Sequence, residues 1–373
     1  MERIQKTAIL KDLKKKMVFL AGPRQAGKTT LSKEISKEFS SSVYLNYDLL
    51  EDKQIIESKS WLPESELLIF DEIHKMPLWK TFLKGVFDTK PEGQKILVTG
   101  SARLEIFRRA GDSLAGRYFL HRLFPLSLTE CKQLGEKATL NRFLDRGGFP
   151  EPFLADSPVD AHRWRLQYSD SLIRTDVLDF DNLHNVKSIH LVYELLRNRV
   201  GSPVSYSSIA IDVGIAPNTV KKYIEILEAL YVIFRVFPHS KNIARSLLKE
   251  PKIYFFDNGL VQGDEGIKLE NFVAFSLLKH VHGKIDYEAK EYSLKYLRTK
   301  ERKEVDFALI NNNSVESIIE VKNSSHTISP HLLYFHEKYD LPAYQVVKNL
   351  KQERMEKKIK MVRAENFLSH LYL

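Results

Sequence analysis

The residues with the clearest chemistry are Gly22-Pro23-Arg24-Gln25-Ala26-Gly27-Lys28-Thr29, a loop spaced G-x-x-x-x-G-K-[ST] directly behind the apolar run Met17-Val18-Phe19-Leu20. Glycines at that interval let the backbone fold around an anion, so that successive N–H groups and the positive end of the next helix face phosphate oxygens. In such a loop Lys28 reaches the β- and γ-phosphates of ATP, the Thr29 hydroxyl holds Mg²⁺, and Thr30 continues the contact into the first helical turn.

A second run, Leu67-Leu68-Ile69-Phe70, ends in Asp71-Glu72. An apolar stretch of that kind suits a strand buried on both faces of a parallel sheet, and its acids then emerge where open α/β sheets bind ligands. Asp71 is expected to orient Mg²⁺ or its water, and Glu72 to polarise the water that attacks the γ-phosphate. The same acids could instead cap a helix starting near Met76-Pro77. The third strand, Lys95 to Ser101, offers Thr99 and Ser101 as hydroxyls for the attacking water or the γ-phosphate. Arg103, Arg108, Arg109 and Arg117 follow. Arg117 is the arginine expected on the γ-phosphate, from this chain or a neighbour, where it would stabilise transition-state charge.

The last third offers a second constellation. Glu304 to Ile310 alternates like a strand, Asn311-Asn312-Asn313 makes a turn, and Ser317 to Lys322 forms a second strand. Residues two apart on a strand share a face, so Glu320 and Lys322 project together and Asp306 can stand across from them. Two carboxylates with the Val321 carbonyl form an oxygen site suited to Mg²⁺ or Mn²⁺. Lys322 could orient or deprotonate the water attacking a phosphodiester.

These groups need elements to place them. The three apolar strands with intervening helical spacing predict a doubly wound parallel α/β core over residues 1–130, followed by a helical connector over 131–187. In the connector, Tyr168, Arg174 and Asp176 could touch nucleotide, although core packing and surface pairing account for them as well. Residues 188–240 read as three short helices and a strand, with Gly214 where a helix-turn-helix needs its tight turn and Pro217 opening the third helix. As a winged helix, this segment would present Asn218, Thr219, Lys221 and Lys222 to DNA, tempered by Glu225 and Glu228 on the same helix. Residues 241–373 complete the chain as a further α/β domain.

With 373 residues, 43% hydrophobic and 28% charged, the composition is that of a soluble globular protein with more than one core. The formal charge of +9 points to an anionic partner, nucleic acid first, with a protein partner as the alternative. One cysteine, Cys131, excludes an internal disulfide or a cysteine zinc cluster and fits a reducing compartment, so the cytoplasm is expected. No apolar run approaches the roughly 20 residues needed to cross a bilayer.

The ordered set GPRQAGKTT, LLIFDEIHKMPLW, ILVTGSAR, SLAGRYFLHRLFPLSLTE and GGFPEPF resembles the prokaryotic AAA-superfamily ATPases whose C-terminal half is a domain of unknown function. In that family the third strand is usually followed by serines, whereas here Ala102-Arg103 follow Ser101. The resemblance implies an ATPase related to the origin-recognition and signal-transduction branches; an arginine supplied across a subunit boundary would imply a ring or dimer. The tail is similar to the PD-(D/E)XK nuclease superfamily, with Val305-Asp306 in place of Pro-Asp. That likeness implies that Glu270, on the helix from Leu269 to His280, joins Asp306 and Glu320 at a metal. Two functions remain open: ATP hydrolysis controlling a DNA-binding or DNA-cutting tail, or a nucleotide-controlled protein-interaction switch with an inactive tail.

Overall fold

The computed structural model describes residues 3–100, 114–131, 138–172, 186–240 and 249–372. The chain divides into two compact units, Met1–Pro125 and Leu126–Leu373. Ser101, Arg103, Arg108, Arg109, Arg174 and Asp176 lie outside the described residues.

The first unit is a five-stranded sheet of β1 (Met17–Ala21), β2 (Ser42–Asn46), β3 (Leu67–Asp71), β4 (Lys95–Gly100) and β5 (Tyr118–Arg122), in the order β2-β3-β4-β1-β5. Every pairing is parallel. β1 and β3 are buried along their whole length, as continuous apolar strands require when helices cover both faces. On one face α1 (Gln5–Leu13) and α2 (Lys28–Ser36) bring Ile9, Leu13, Leu31 and Ile35 onto Val18, Leu20, Ile69 and Leu97. On the other, α3 (Leu50–Ser58) and α4 (Trp79–Thr89) bring Ile56, Trp79, Leu83 and Val86 onto Phe19, Phe70 and Val98. The doubly wound layout expected of this region is present. Because β4 lies between β1 and β3, the loop after β1 and the acids ending β3 flank its carboxyl end.

The second unit begins with helices. α5 (Pro158–Ser171) is capped by Ser157 and buries Trp164 and Tyr168, whose rings stack at 4.7 Å. Tyr168 is therefore a core residue. α6 (Val186–Arg197), α7 (Tyr206–Val213) and α8 (Pro217–Ala229) follow. Gly214, at φ 74°, closes α7 in the left-handed conformation, and Pro217 starts α8 at its first turn, so a short turn joins the two helices.

The strand after α8, β6 (Ile233–Pro238), pairs antiparallel with β7 (Lys252–Phe255). It also meets β8 (Tyr292–Arg298) in parallel through Phe237 and Pro238. What reads as the start of a wing thus runs into a large sheet. That sheet continues with β9 (Glu304–Asn311), β10 (Ser314–Lys322), β11 (Ala343–Val347), β12 (Arg354–Glu356) and β13 (Ile359–Arg363). Its eight strands run in the order β12-β13-β11-β10-β9-β8-β6-β7. Asn312 and Asn313, at φ 46° and 66°, make the tight turn between β9 and β10, a conformation asparagine tolerates better than most residues. α9 (Glu265–Glu288) and α10 (Pro330–Tyr339) pack against this sheet. Among the described residues no helix is long and apolar enough to cross a membrane.

Candidate nucleotide site and a second carboxylate cluster

The loop between β1 and α2 has the backbone a phosphate cradle needs. Gly22, at φ 153°, lies so close to the chain after β5 that a Cβ there would sit 2.1 Å from the Leu123 carbonyl oxygen. Only glycine fits. Gly27 takes φ 94° immediately before the helix. Pro23 and Ala26 are buried, while Arg24, Gln25, Thr29 and Thr30 line the exposed rim of the loop and first turn. The Lys28 ammonium, buried at the helix start, donates to the carbonyls of Gly22 at 2.9 Å and Pro23 at 2.7 Å. Burial draws its pKa down to about 8, against the opposite pull of Glu72 and Asp71. Arg3, which the motif reading passes over, donates to the Ala26 carbonyl at 3.0 Å and the Phe124 carbonyl at 2.6 Å, tying the loop to the chain start.

Asp71, 5% exposed, is the hub of the site. Its Oδ2 accepts from the Thr29 hydroxyl at 3.2 Å and from the Tyr44 hydroxyl on the neighbouring strand β2. Its Oδ1 accepts from the Thr99 hydroxyl. Burial, reinforced by the hydrogen bond to Asp71, holds the Tyr44 phenol well above its ordinary pKa. Glu72 sits at φ 55°, a left-handed conformation uncommon for such a residue, with its N–H on the Thr99 carbonyl at 3.0 Å. Burial raises its carboxyl, while the Lys28 charge opposes that rise. The all-oxygen pair of Thr29 hydroxyl and Asp71 carboxylate has the donor chemistry Mg²⁺ prefers.

Two expectations are corrected here. Thr99 is completely buried and its hydroxyl donates to Asp71, so in this structure it steadies the acid. Arg117 stands at the amino edge of the sheet, where its carbonyl accepts from Met17 N–H at the start of β1. Its guanidinium grips Asp88 in two bonds of 2.9 and 3.1 Å. The phosphate loop leaves the other end of β1, a strand of five residues and so about 16 Å away, which puts the γ-phosphate of this chain beyond its reach.

In the second unit Glu270 from α9, Asp306 from β9, and Glu320 and Lys322 from β10 lie in one neighbourhood. Asp306 Oδ2 accepts from the Val321 N–H at 2.9 Å, and Lys322 Nζ lies 2.8 Å from Glu320 Oε1. Three residues not anticipated join them: Lys252 and Tyr254 from β7, and Glu304 from β9. The Lys252 ammonium is 2.8 Å from Glu304, 3.5 Å from Asp306 and 3.6 Å from Glu270. The Tyr254 hydroxyl donates to Glu270 Oε1 at 2.8 Å. Burial, then the nearby Asp306 charge, pushes Glu270 up to about 8 and Glu320 up to about 7. Burial pulls Lys252 down, but Asp306, Glu270 and Glu304 together outweigh it and leave the ammonium more firmly protonated than a lysine in water.

The second metal site expected of Glu270, Asp306 and Glu320 is therefore not formed. A protein cation already stands among the acids, and no three His, Cys, Asp or Glu side chains among the described residues are arranged to hold a metal ion. On α8, Asn218, Lys221 and Lys222 are exposed and Thr219 is half-buried, with Lys221 lying 4.0 Å from Glu225.

Comparison with known proteins agrees with the N-terminal geometry. Residues 14–132 match the AAA domain model, residues 137–269 a domain of unknown function (DUF8612), and residues 265–367 another (DUF4143). An uncharacterized protein of Mycobacterium tuberculosis is 28% identical over 252 residues, which is 67% of this chain and 56% of that protein. The chain thus spans little more than half the length of this mycobacterial relative. An uncharacterized protein of Methanocaldococcus jannaschii is 24% identical across 96% of this chain and 85% of its own. Among solved structures, a Walker-type ATPase of Pyrococcus abyssi is 14% identical with a TM-score of 0.46, covering 69% of this chain and 94% of its own.

Proposed function

We propose that the AAA-type P-loop ATPase domain in residues 14–132 hydrolyses ATP to ADP and phosphate with Mg²⁺, and that its nucleotide state governs a binding role of the second unit. The observation that carries this reading is the 3.2 Å contact between the Thr29 hydroxyl and Asp71, which joins the phosphate loop to the acidic strand end. Backbone N–H groups from Gly22 to Thr30 and the positive end of α2 bind the phosphates. Lys28 exchanges its two carbonyl acceptors for β- and γ-phosphate oxygens, a stronger partner for a cation. Thr29 and Asp71 would hold Mg²⁺, whose charge would offset that of the phosphates. Glu72, fixed by its backbone bond to β4, aligns the attacking water and takes its proton.

Two substitutions separate binding from chemistry. Lys28→Ala should weaken ATP binding by roughly a hundredfold, whereas Glu72→Gln should bind ATP normally and lose turnover by about a hundredfold or more. Calorimetry and a phosphate-release assay read the two effects. Glu72→Gln with full turnover would remove this reading.

For the second unit, the lysine among its acids favours the interaction role over cutting. The helix-turn-helix of α7 and α8, with Asn218, Lys221 and Lys222 exposed at its second helix, supports DNA as the partner. Binding to DNA should weaken steeply with salt and respond to Lys221→Ala/Lys222→Ala. Binding that is absent, or indifferent to salt, would instead assign a protein partner.

A further inference from the structure

We propose that Lys252 is the resident cation of the carboxylate cluster in the second unit, so that an ammonium occupies the place a divalent metal would need and this site has no metal chemistry of its own. The inference is independent of the ATPase reading.

The lysine is built in. Its side chain is 2% exposed, it reaches three carboxylates from β7, and its ammonium lies 5.5 Å from the centre of the Tyr296 ring. Tyr254, two residues on along the same strand, projects to the same side and donates to the Glu270 oxygen that faces the ammonium. Both oxygens of Asp306 are engaged, Oδ2 by the Val321 N–H and Oδ1 by Lys252. One oxygen of Glu320 holds Lys322 and the Ser329 hydroxyl.

The charges also nearly cancel. Even with every group ionised, Glu270, Glu304, Asp306 and Glu320 against Lys252, Lys322 and Arg298 leave one negative charge, four acids less three bases, and the burial that raises Glu270 and Glu320 reduces it further. A divalent ion entering there would gain little attraction. It would also have to share Asp306 with an ammonium it repels. Glu320 Oε2 is buried without a hydrogen-bond partner. That atom is the acceptor a metal could use once the lysine is gone.

The test is Mn²⁺ binding to the full chain without nucleotide, followed by electron paramagnetic resonance, in wild type, Asp306→Asn, Lys252→Met and the double variant. Wild type and Asp306→Asn should bind Mn²⁺ alike. Lys252→Met should gain one ion at least about tenfold tighter than anything wild type binds in that unit, as removal of an adjacent like charge implies, and the double variant should lose it. Mn²⁺ bound by wild type and lost in Asp306→Asn would overturn the proposal. So would a folded Lys252→Met that gains nothing. If Lys252→Met does not fold, the comparison of wild type with Asp306→Asn decides alone.

Discussion

Each unit buries a lysine beside strand-borne carboxylates, but the two ammonium groups are held by opposite kinds of partner. Lys28 rests on the neutral carbonyls of Gly22 and Pro23, with its pKa drawn down to about 8. Lys252 rests on Glu304, Asp306 and Glu270, and is held firmly protonated. A cation on carbonyl dipoles improves its position by meeting an anion, so Lys28 is ready for a ligand. A cation already inside a carboxylate cage has nothing to gain, so Lys252 closes its site. Lysine and aspartate together therefore do not define a phosphate or metal site; what the lysine gives up on binding does.

The sharpest way to break this contrast is by stability. Lys252→Met strips the counter-charge from a buried acidic cluster and should cost about 3–5 kcal/mol, whereas Lys28→Met, which unpairs two carbonyls and takes a weaker charge from Asp71 and Glu72, should cost less, about 1–3 kcal/mol. Urea unfolding measures both, and equal shifts would erase the distinction.

The next effect depends on pH. A triphosphate beside Lys28 raises the pKa that burial has lowered to about 8, so ATP binding is at full strength below that value. Above it, affinity should fall by up to about tenfold per pH unit until the bound form also loses its proton. Calorimetry near this pH, in buffers of different ionisation enthalpy, should register proton uptake on binding. Proton release would contradict the sign.

Smaller still is the effect of groups that only steady Asp71. Tyr44→Phe removes one charge-assisted hydrogen bond and should lower kcat/KM for Mg-ATP by about tenfold, the equivalent of about 1.4 kcal/mol. Arg117→Ala, which breaks a surface pair with Asp88, should leave turnover within about twofold. A large loss in Arg117→Ala would place that arginine in the site of a neighbouring copy.

What could be read from the chain beforehand was whatever lies contiguous in it. The loop from Gly22 to Thr29, the pair Asp71-Glu72, and the hairpin carrying Asp306, Glu320 and Lys322 each declare themselves within a few residues. Their partners do not. Tyr44 reaches Asp71 only because β2 lies beside β3, with Asn46 paired to Asp71. Lys252 enters the acidic cluster because β7 extends the large sheet next to β6, and nothing in Pro251-Lys252-Ile253-Tyr254 marks that lysine off from a solvated one. Arg117 shows the converse: its neighbourhood in sequence suits a nucleotide contact, but the parallel register of β5 with β1 puts it at the far end of the sheet from its own chain's phosphate loop.

The backbone at Glu72 carries a further consequence. A side chain held at φ 55° is one that glycine would relieve, since glycine enters that region without steric cost. On the proposed reading, the fold tolerates local strain where an acid would meet the attacking water. Selection for heat resistance alone would tend to replace it, and the more robust protein would be an idle one.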